Sequence, residues 1–252
     1  MGILDGKTAL VTGSGRGIGR GIAVALAREG AAIGVVDLVA DTAQAVTDEI
    51  AEFGGKALAV AADIRDPVQI DDSVAATVAR FGGLDILVNN AMAAKTQVPF
   101  EEIDDESIEL AFSTGPAAVL RYLRAAHPYL AAAKGRVINL RSGSEIQGLN
   151  GYGSYIAAKA AVGGITRAAA REWGPQGINV NAICPFALSE AALKHFDARP
   201  EDLVSALSAL SIRRTGDPEL DIGRVAVFLA SPDSTFITGC TISVDGGGSF
   251  IG

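Results

Sequence analysis

Tyr155 and Lys159 stand four residues apart in Tyr155-Ile156-Ala157-Ala158-Lys159, a stretch of helical composition. On a helix this spacing puts both side chains on one face, about 6 Å apart along the axis. An ammonium so close favours the phenolate and lowers the tyrosine pKa towards neutrality. Such a pair can act as a general acid/base that moves a proton to or from a carbonyl or alcohol oxygen. Ser142, thirteen residues earlier, offers a hydroxyl to the same oxygen. Alone, a Tyr-x-x-x-Lys spacing equally describes a surface pair. A second constellation turns it into a candidate for hydride transfer. Thr12-Gly13-Ser14-Gly15-Arg16-Gly17-Ile18-Gly19 links an apolar, β-rich run to a helical one. There backbone N–H groups point outward at the positive end of a helix dipole, which suits a pyrophosphate. The spacing is G-x-x-x-G-x-G through Gly13, Gly17 and Gly19, not G-x-G-x-x-G, and no Lys-Ser or Lys-Thr follows as a Walker loop requires. Asp37, about 20 residues on, can bond the ribose hydroxyls of NAD and would repel the 2′-phosphate of NADP. Arg16 pulls the other way, towards that phosphate. The balance predicts NAD as cofactor, with NADP second.

These side chains need a scaffold, and the hydrophobic pattern supplies one. Short apolar runs at Thr8–Val11, Ala32–Val36, Ala57–Ala61, Ile86–Val88, Val137–Leu140, Asn179–Ile183 and Thr241–Val244 read as strands. Helical patterns lie between them at Ile18–Arg28, Thr42–Phe53, Val68–Arg80, Ser107–Ala133, Ser154–Trp173 and Pro218–Ala230. Alternation of this kind implies parallel strands with right-handed crossovers. Continuous rather than alternating apolar strands imply helices on both faces of the sheet. The expected fold is one Rossmann-like, doubly wound α/β domain over residues 1–252, a seven-stranded, mainly parallel sheet in three layers, with ligands at the strand carboxyl ends. Gly30 and Gly174-Pro175 mark helix ends. Pro185–Gly216 interrupts the rhythm and is expected to form a substrate lid over those ends.

Composition narrows the function classes. The 252 residues are 49% hydrophobic and 20% charged, enough for a sizeable core. A formal charge of -8 argues against a nucleic-acid partner. No apolar run reaches the length of a membrane span, and the N-terminus lacks the plan of a signal peptide, so a cytoplasmic location and no membrane partner are expected. Cys184 and Cys240, with His127 and His195, give neither a disulfide framework nor a zinc site. Cys184 and His127 read as structural, and His195 as a possible substrate contact from the lid. The acidic run Glu101–Glu106 reads as a solvated face with helix N-terminal charge.

Taken in order, the chain from Lys7 to Gly247 resembles the short-chain dehydrogenases/reductases of about 250 residues. The resemblance rests on Thr12–Gly19, Asp63, Asn89-Asn90-Ala91, Ser142, Tyr155 with Lys159, Asn179–Asn181 leading to Pro185, and Asp245-Gly246-Gly247. It implies Tyr155 as acid/base, Ser142 orienting the substrate oxygen, and Lys159 holding the nicotinamide ribose and tuning Tyr155. It places Asp63 at the adenine and Asn90 beside the cofactor, with Gly13, Ser14, Arg16, Gly17, Ile18, Gly19, Asp37, Ile64, Pro185 and Leu188 completing the cofactor site. The implied activity is NAD(H)-dependent interconversion of a secondary alcohol and a ketone, on a small-molecule substrate, in a homotetramer built through the long helices. Reduction of a 3-oxoacyl thioester on a carrier protein is an alternative. Halohydrin dehalogenases resemble the same family, but Gly13, Gly17, Gly19 and Lys159 argue against that reading.

Four positions depart from the family pattern. Gly115 stands where an asparagine usually holds a water of the proton relay; either a second water replaces that side chain, or a third reading opens, a cofactor-binding sensor of low activity. Met92 and Phe186 replace glycines and add bulk where substrate and nicotinamide would meet. Glu190, with Ser189 beside it, stands where a threonine is usual.

Overall fold

Strands form where the apolar runs lie: β1 (Thr8–Thr12), β2 (Ala32–Asp37), β3 (Lys56–Ala61), β4 (Ile86–Asn89), β5 (Arg136–Leu140), β6 (Asn179–Pro185) and β7 (Thr241–Val244). The structure, a computed structural model, describes residues 2–187, 203–204, 207–208 and 210–249. The seven strands pair in parallel in one sheet of order β3-β2-β1-β4-β5-β6-β7. Both faces are covered, which is why the strands are apolar throughout. On one face α1 (Gly17–Arg28), α2 (Ala40–Glu52) and α8 (Arg224–Ala230) bury Ile22, Leu26, Val46, Ile50 and Ala226. On the other, α3 (Pro67–Phe81), α5 (Ala118–Ala133) and α7 (Gly153–Trp173) bury Ile70, Val74, Tyr122, Leu130 and Val162. The chain runs outward from β1 to β3 and returns at β4 beside β1. This reversal opens a crevice at the carboxyl ends of β1 and β4, where such folds bind ligands.

The expected elements appear with ends moved by one or two residues, except that Pro218–Ala230 opens with a π-helical turn, Pro218–Gly223, before α8, and that the longest expected helix is interrupted. Ser107–Ala133 is not one helix. It is α4 (Asp105–Phe112), a π-helical turn Ser113–Ala117, and α5. Gly115 leaves helical geometry there, at φ -90° and ψ -108°. Pro116 follows it without an N–H to bond back towards Phe112, so the helix kinks. A short helix, α6 (Ser144–Gln147), follows β5 and was not anticipated by the hydrophobic pattern. Of the expected lid, residues 188–202 lie outside the described residues, and with them Leu188, Ser189, Glu190 and His195.

A polar ladder crosses the second half of the sheet. Asn89 Nδ2 donates to Asn139 Oδ1 at 2.9 Å, and Asn139 Nδ2 donates to Thr166 Oγ1 at 3.0 Å. Thr166 Oγ1 donates in turn to Val162 O at 2.8 Å within α7. Each buried amide on this line is thus partnered, as low-dielectric burial demands.

Candidate active site

The glycine turn is held from below by the end of β4. Thr12 Oγ1 accepts hydrogen bonds from the N–H groups of Asn90 and Ala91, both at 3.0 Å. Asn90 Nδ2 donates to the carbonyls of Thr12 at 2.9 Å and Gly13 at 3.0 Å. The Asn90 amide is therefore engaged in shaping the turn. Gly13 and Gly17 sit in the left-handed region, at φ 62° and 55°. A Cβ on Gly19 would lie 2.1 Å from Gly13 O, so α1 packs on the turn only because that side chain is missing. Arg16 is the extended N-cap of α1 and makes no side-chain cap to the helix. Ser14 points inward, its hydroxyl donating to Val11 O at 2.7 Å. Ile18 packs at the edge of the core beneath.

Asp37 closes the other wall. Its Oδ2 accepts from Gly15 N at 2.9 Å, and its Oδ1 from Val39 N at 3.2 Å and Thr42 Oγ1 at 3.3 Å. A cavity of about 410 Å³ opens between these walls, lined by Gly13, Arg16, Asp37, Asp63, Asn90 and Met92 among others. Ile64 also lines it. Arg65, not singled out by the sequence reading, lines it too and pairs with Asp63 at 2.6 Å. The Arg65 hydrogen bond holds the Asp63 carboxyl below the usual carboxylate range.

The acid/base group lies on α7. Tyr155 and Lys159 share one face of α7, with Lys159 Nζ 5.8 Å from the centre of the Tyr155 ring. Lys159 is only 7% exposed, and its ammonium donates to Leu140 O at 2.7 Å, at the end of β5. Burial pushes the Lys159 pKa down to about 8. Tyr155 departs from the sequence expectation. Burial raises its phenol above the ordinary value, and the negative charge of Glu145 adds to the rise. The nearby Ser142 hydroxyl acts in the opposite sense. The expected drop rested on the nearby Lys159 ammonium alone. In the structure desolvation of the phenolate dominates, because the α7 face is buried against β5 and the Ser142 turn. Ser142 Oγ also bonds Ser144 Oγ at 3.0 Å. Pro185 ends β6, half-buried, and Phe186 N–H donates to Val244 O at 3.0 Å.

The family departures at Gly115 and Met92 meet in space. A Cβ on Gly115 would lie 3.4 Å from Met92 Cε and 3.3 Å from Ala158 Cβ. The thioether of Met92 thus covers the surface left bare by the glycine. Cys184 is buried in β6, its thiol pushed up to about 11 by burial, which fits an inert core residue. His127 packs at a tilt against Trp173, ring centres 4.8 Å apart, and bonds Gln176 Oε1 at 2.9 Å, a structural arrangement. In the acidic run, Asp104 caps α4 through Ser107 N at 2.7 Å, and Lys95 bridges Asp104 and Glu106.

The sequence and the fold both have counterparts among known proteins. A family profile described as enoyl-(acyl carrier protein) reductase matches residues 13–249. A 12alpha-hydroxysteroid dehydrogenase of Clostridium sp. is 39% identical over 98% of this chain and 98% of its own. A sorbitol dehydrogenase of Cereibacter sphaeroides is 38% identical over 97% of this chain and 98% of its own. A crystal structure assigned as a short-chain alcohol dehydrogenase from Sinorhizobium meliloti 1021 superposes with a TM-score of 0.91 at 36% identity, covering 97% of both chains.

Proposed function

The chain belongs to the short-chain dehydrogenase/reductase family, NAD(P)-dependent oxidoreductases of CH–OH groups, and from that premise we propose that it interconverts a secondary alcohol and a ketone with NAD(H). The observation that carries this reading is the junction of Ser142, Tyr155 and buried Lys159 at the carboxyl ends of the strands, the last two on a helix whose Ala158 lies by way of Gly115 near Met92 of the cavity beside the glycine turn.

A dinucleotide fits the residues present. The uncapped start of α1 and the turn through Gly13, Gly17 and Gly19 would take the pyrophosphate. Asp63 and Ile64 would border the adenine. Lys159 would hold the nicotinamide ribose. The bound cofactor supplies the hydride chemistry. Tyr155 gives its proton to the carbonyl oxygen in reduction and takes the hydroxyl proton in oxidation. Ser142 hydrogen-bonds that same oxygen and fixes it beside the phenol. Burial of the site excludes water and strengthens both interactions.

Cofactor choice rests on Asp37. Its two oxygens are anchored by Gly15, Val39 and Thr42, so the carboxylate cannot swing away from a 2′-phosphate. Arg16 and Arg65 line the same cavity and moderate the preference. Steady-state oxidation of NADH and NADPH over a panel of ketones tests the reading. NADH is expected to be preferred, and Asp37→Ala to lower the preference by roughly 10–100-fold, the worth of a charge-assisted hydrogen bond. Tight NADH binding without turnover of any ketone would instead favour the sensor.

Met92 gives the substrate end an apolar wall, which supports a small to medium, fairly apolar substrate. A surface groove of about 710 Å³ between α5 and α7, lined by Leu120, Leu123, Ile165 and Trp173, supports assembly into a homotetramer through these helices. No helix among the described residues is long and apolar enough to cross a membrane. Two free cysteines suit a reducing compartment, and we place the enzyme in the cytoplasm.

A further inference from the structure

Between Ser142 and the helix that carries Tyr155 lies an ion pair that the reaction above does not use. Arg141 follows β5 directly, and Glu145 sits four residues on, in α6. Their side chains are 12% and 3% exposed, and Arg141 Nη2 donates to Glu145 Oε1. Arg141 Nη1 donates to Thr241 Oγ1 on β7 at 2.6 Å, and its backbone N–H to Ile183 O on β6 at 2.8 Å. The guanidinium rests on Gly163, one turn after Lys159 in α7, where a Cβ would lie 2.6 Å from Arg141 Cζ. Glu145 N–H donates to Ser142 O at 3.2 Å. The pair therefore spans α6, α7, β6 and β7 around the Ser142 turn. It is also incompletely satisfied, since Arg141 Nε and Glu145 Oε2 are buried with no hydrogen-bond partner among the described residues. Unsatisfied buried groups mark places where a fold keeps a feature that packing alone would not favour.

We propose that Arg141 and Glu145 are positioning residues of the active site: the pair clamps the Ser142 turn onto α7 and the sheet, and so holds a buried carboxylate at the acid/base group. This rests on Tyr155 being the acid/base group. The charges around it act in consistent senses. Glu145 is faced by Arg141 on its own turn and by Lys159 and Arg167 on α7. Tyr155 is faced by Glu145, by Cys184 from β6 and by Tyr152. Asp245, at the end of β7, faces Cys184 from the other side. The Glu145 charge acts in the same sense on Tyr155 and Lys159, favouring the protonated form of each, with burial on Tyr155 and against it on Lys159. A buried carboxylate beside a cation is the arrangement that can do both.

The test is a spectrophotometric tyrosinate titration of the full chain, with the curve of Tyr155→Phe subtracted to isolate Tyr155. Glu145→Gln keeps the shape and removes the charge. It is expected to lower the Tyr155 midpoint by roughly one pH unit, the size of a nearby-charge effect. The acid limb of the kcat/KM profile for alcohol oxidation should move the same way, with KM for NAD unchanged. Glu145→Asp keeps the charge and should restore the midpoint even if kcat stays low. Arg141→Lys keeps the charge and loses the forked contacts, so kcat should fall with the midpoint unmoved. A Gln midpoint equal to that of the parent protein overturns the electrostatic role, and unaltered kcat in Arg141→Lys overturns the clamp. The titration needs no turnover. Failure of the dehydrogenase reading would show instead as undiminished activity in Tyr155→Phe.

Discussion

The two sides of the sheet bury different kinds of polar group. Up to the end of α3, the buried polar residues are Thr8, Thr12, Ser14, Ser73 and Thr77, and the hydroxyls of the last four donate to backbone carbonyls. From β4 onward the buried set adds Asn89, Asn139, Lys159, Asn179, Asn181 and Asp245. The first side works through its backbone: an open helix start, a glycine turn and one anchored carboxylate. A pyrophosphate asks for nothing more. The second side must carry a proton, and for that it holds ionisable groups out of water where their pKa values move. Cofactor binding and proton transfer are thus separable in principle, although they meet at Met92.

The most direct way to break this separation is Tyr155→Phe. Loss of a general acid/base is expected to lower kcat by about 10³-fold, while NADH binding followed by fluorescence stays nearly intact. Joint loss of both would unite the two sides. The converse lesion is Gly19→Ala, whose Cβ would meet Gly13 O at 2.1 Å. NADH affinity should fall by about 10²-fold or more, with the Tyr155 titration unchanged.

Lys159→Met sharpens the contrast through stability. Turnover should fall by roughly 10²-fold, yet the melting temperature at pH 7 should hold or rise, because a buried ammonium is replaced by an apolar chain. The pH dependence has a definite sign. A lysine depressed to about 8 in the fold contributes stability above its ordinary value of 10.5, and that contribution is lost as pH falls through about 8. Relative to the Met variant, the parent protein should therefore gain melting temperature from pH 8 to 10.5. The smallest effect is expected at Gly115→Asn. Crowding against Met92 and Ala158 should cost about 1 kcal/mol in thermal unfolding, relieved when Met92→Gly is made in the same chain.

The two sides also differed in how far they could be read beforehand. The glycine turn, Asp37 and every strand were legible because their signals are local: apolar runs, left-handed glycines and a fixed spacing. The kink at Gly115 was carried by Gly115-Pro116, a breaker pair that the surrounding helical pattern outweighed. The direction of the Tyr155 shift was not legible, because it depends on how deeply α7 is buried. Arg141 and Glu145 belong to no motif in the sequence. Their burial is imposed by Gly163 and Thr241, far along the chain, and no local pattern announces it. Thr12 was quoted as the start of a motif, while its hydroxyl turns out to fasten two N–H groups of the next crossover.

The Asn89–Asn139–Thr166 ladder has a consequence for assembly of the fold. Apolar parallel strands such as β4 and β5 can slide past each other, since valine and isoleucine pack acceptably in several registers. An amide cannot. A slip of two residues would leave Asn89 and Asn139 buried and unpaired, at about 1–3 kcal/mol for each lost partner. The ladder therefore proofreads the alignment of the two strands, and only the correct alignment brings Asn90 under the glycine turn and Ser142 beside Tyr155.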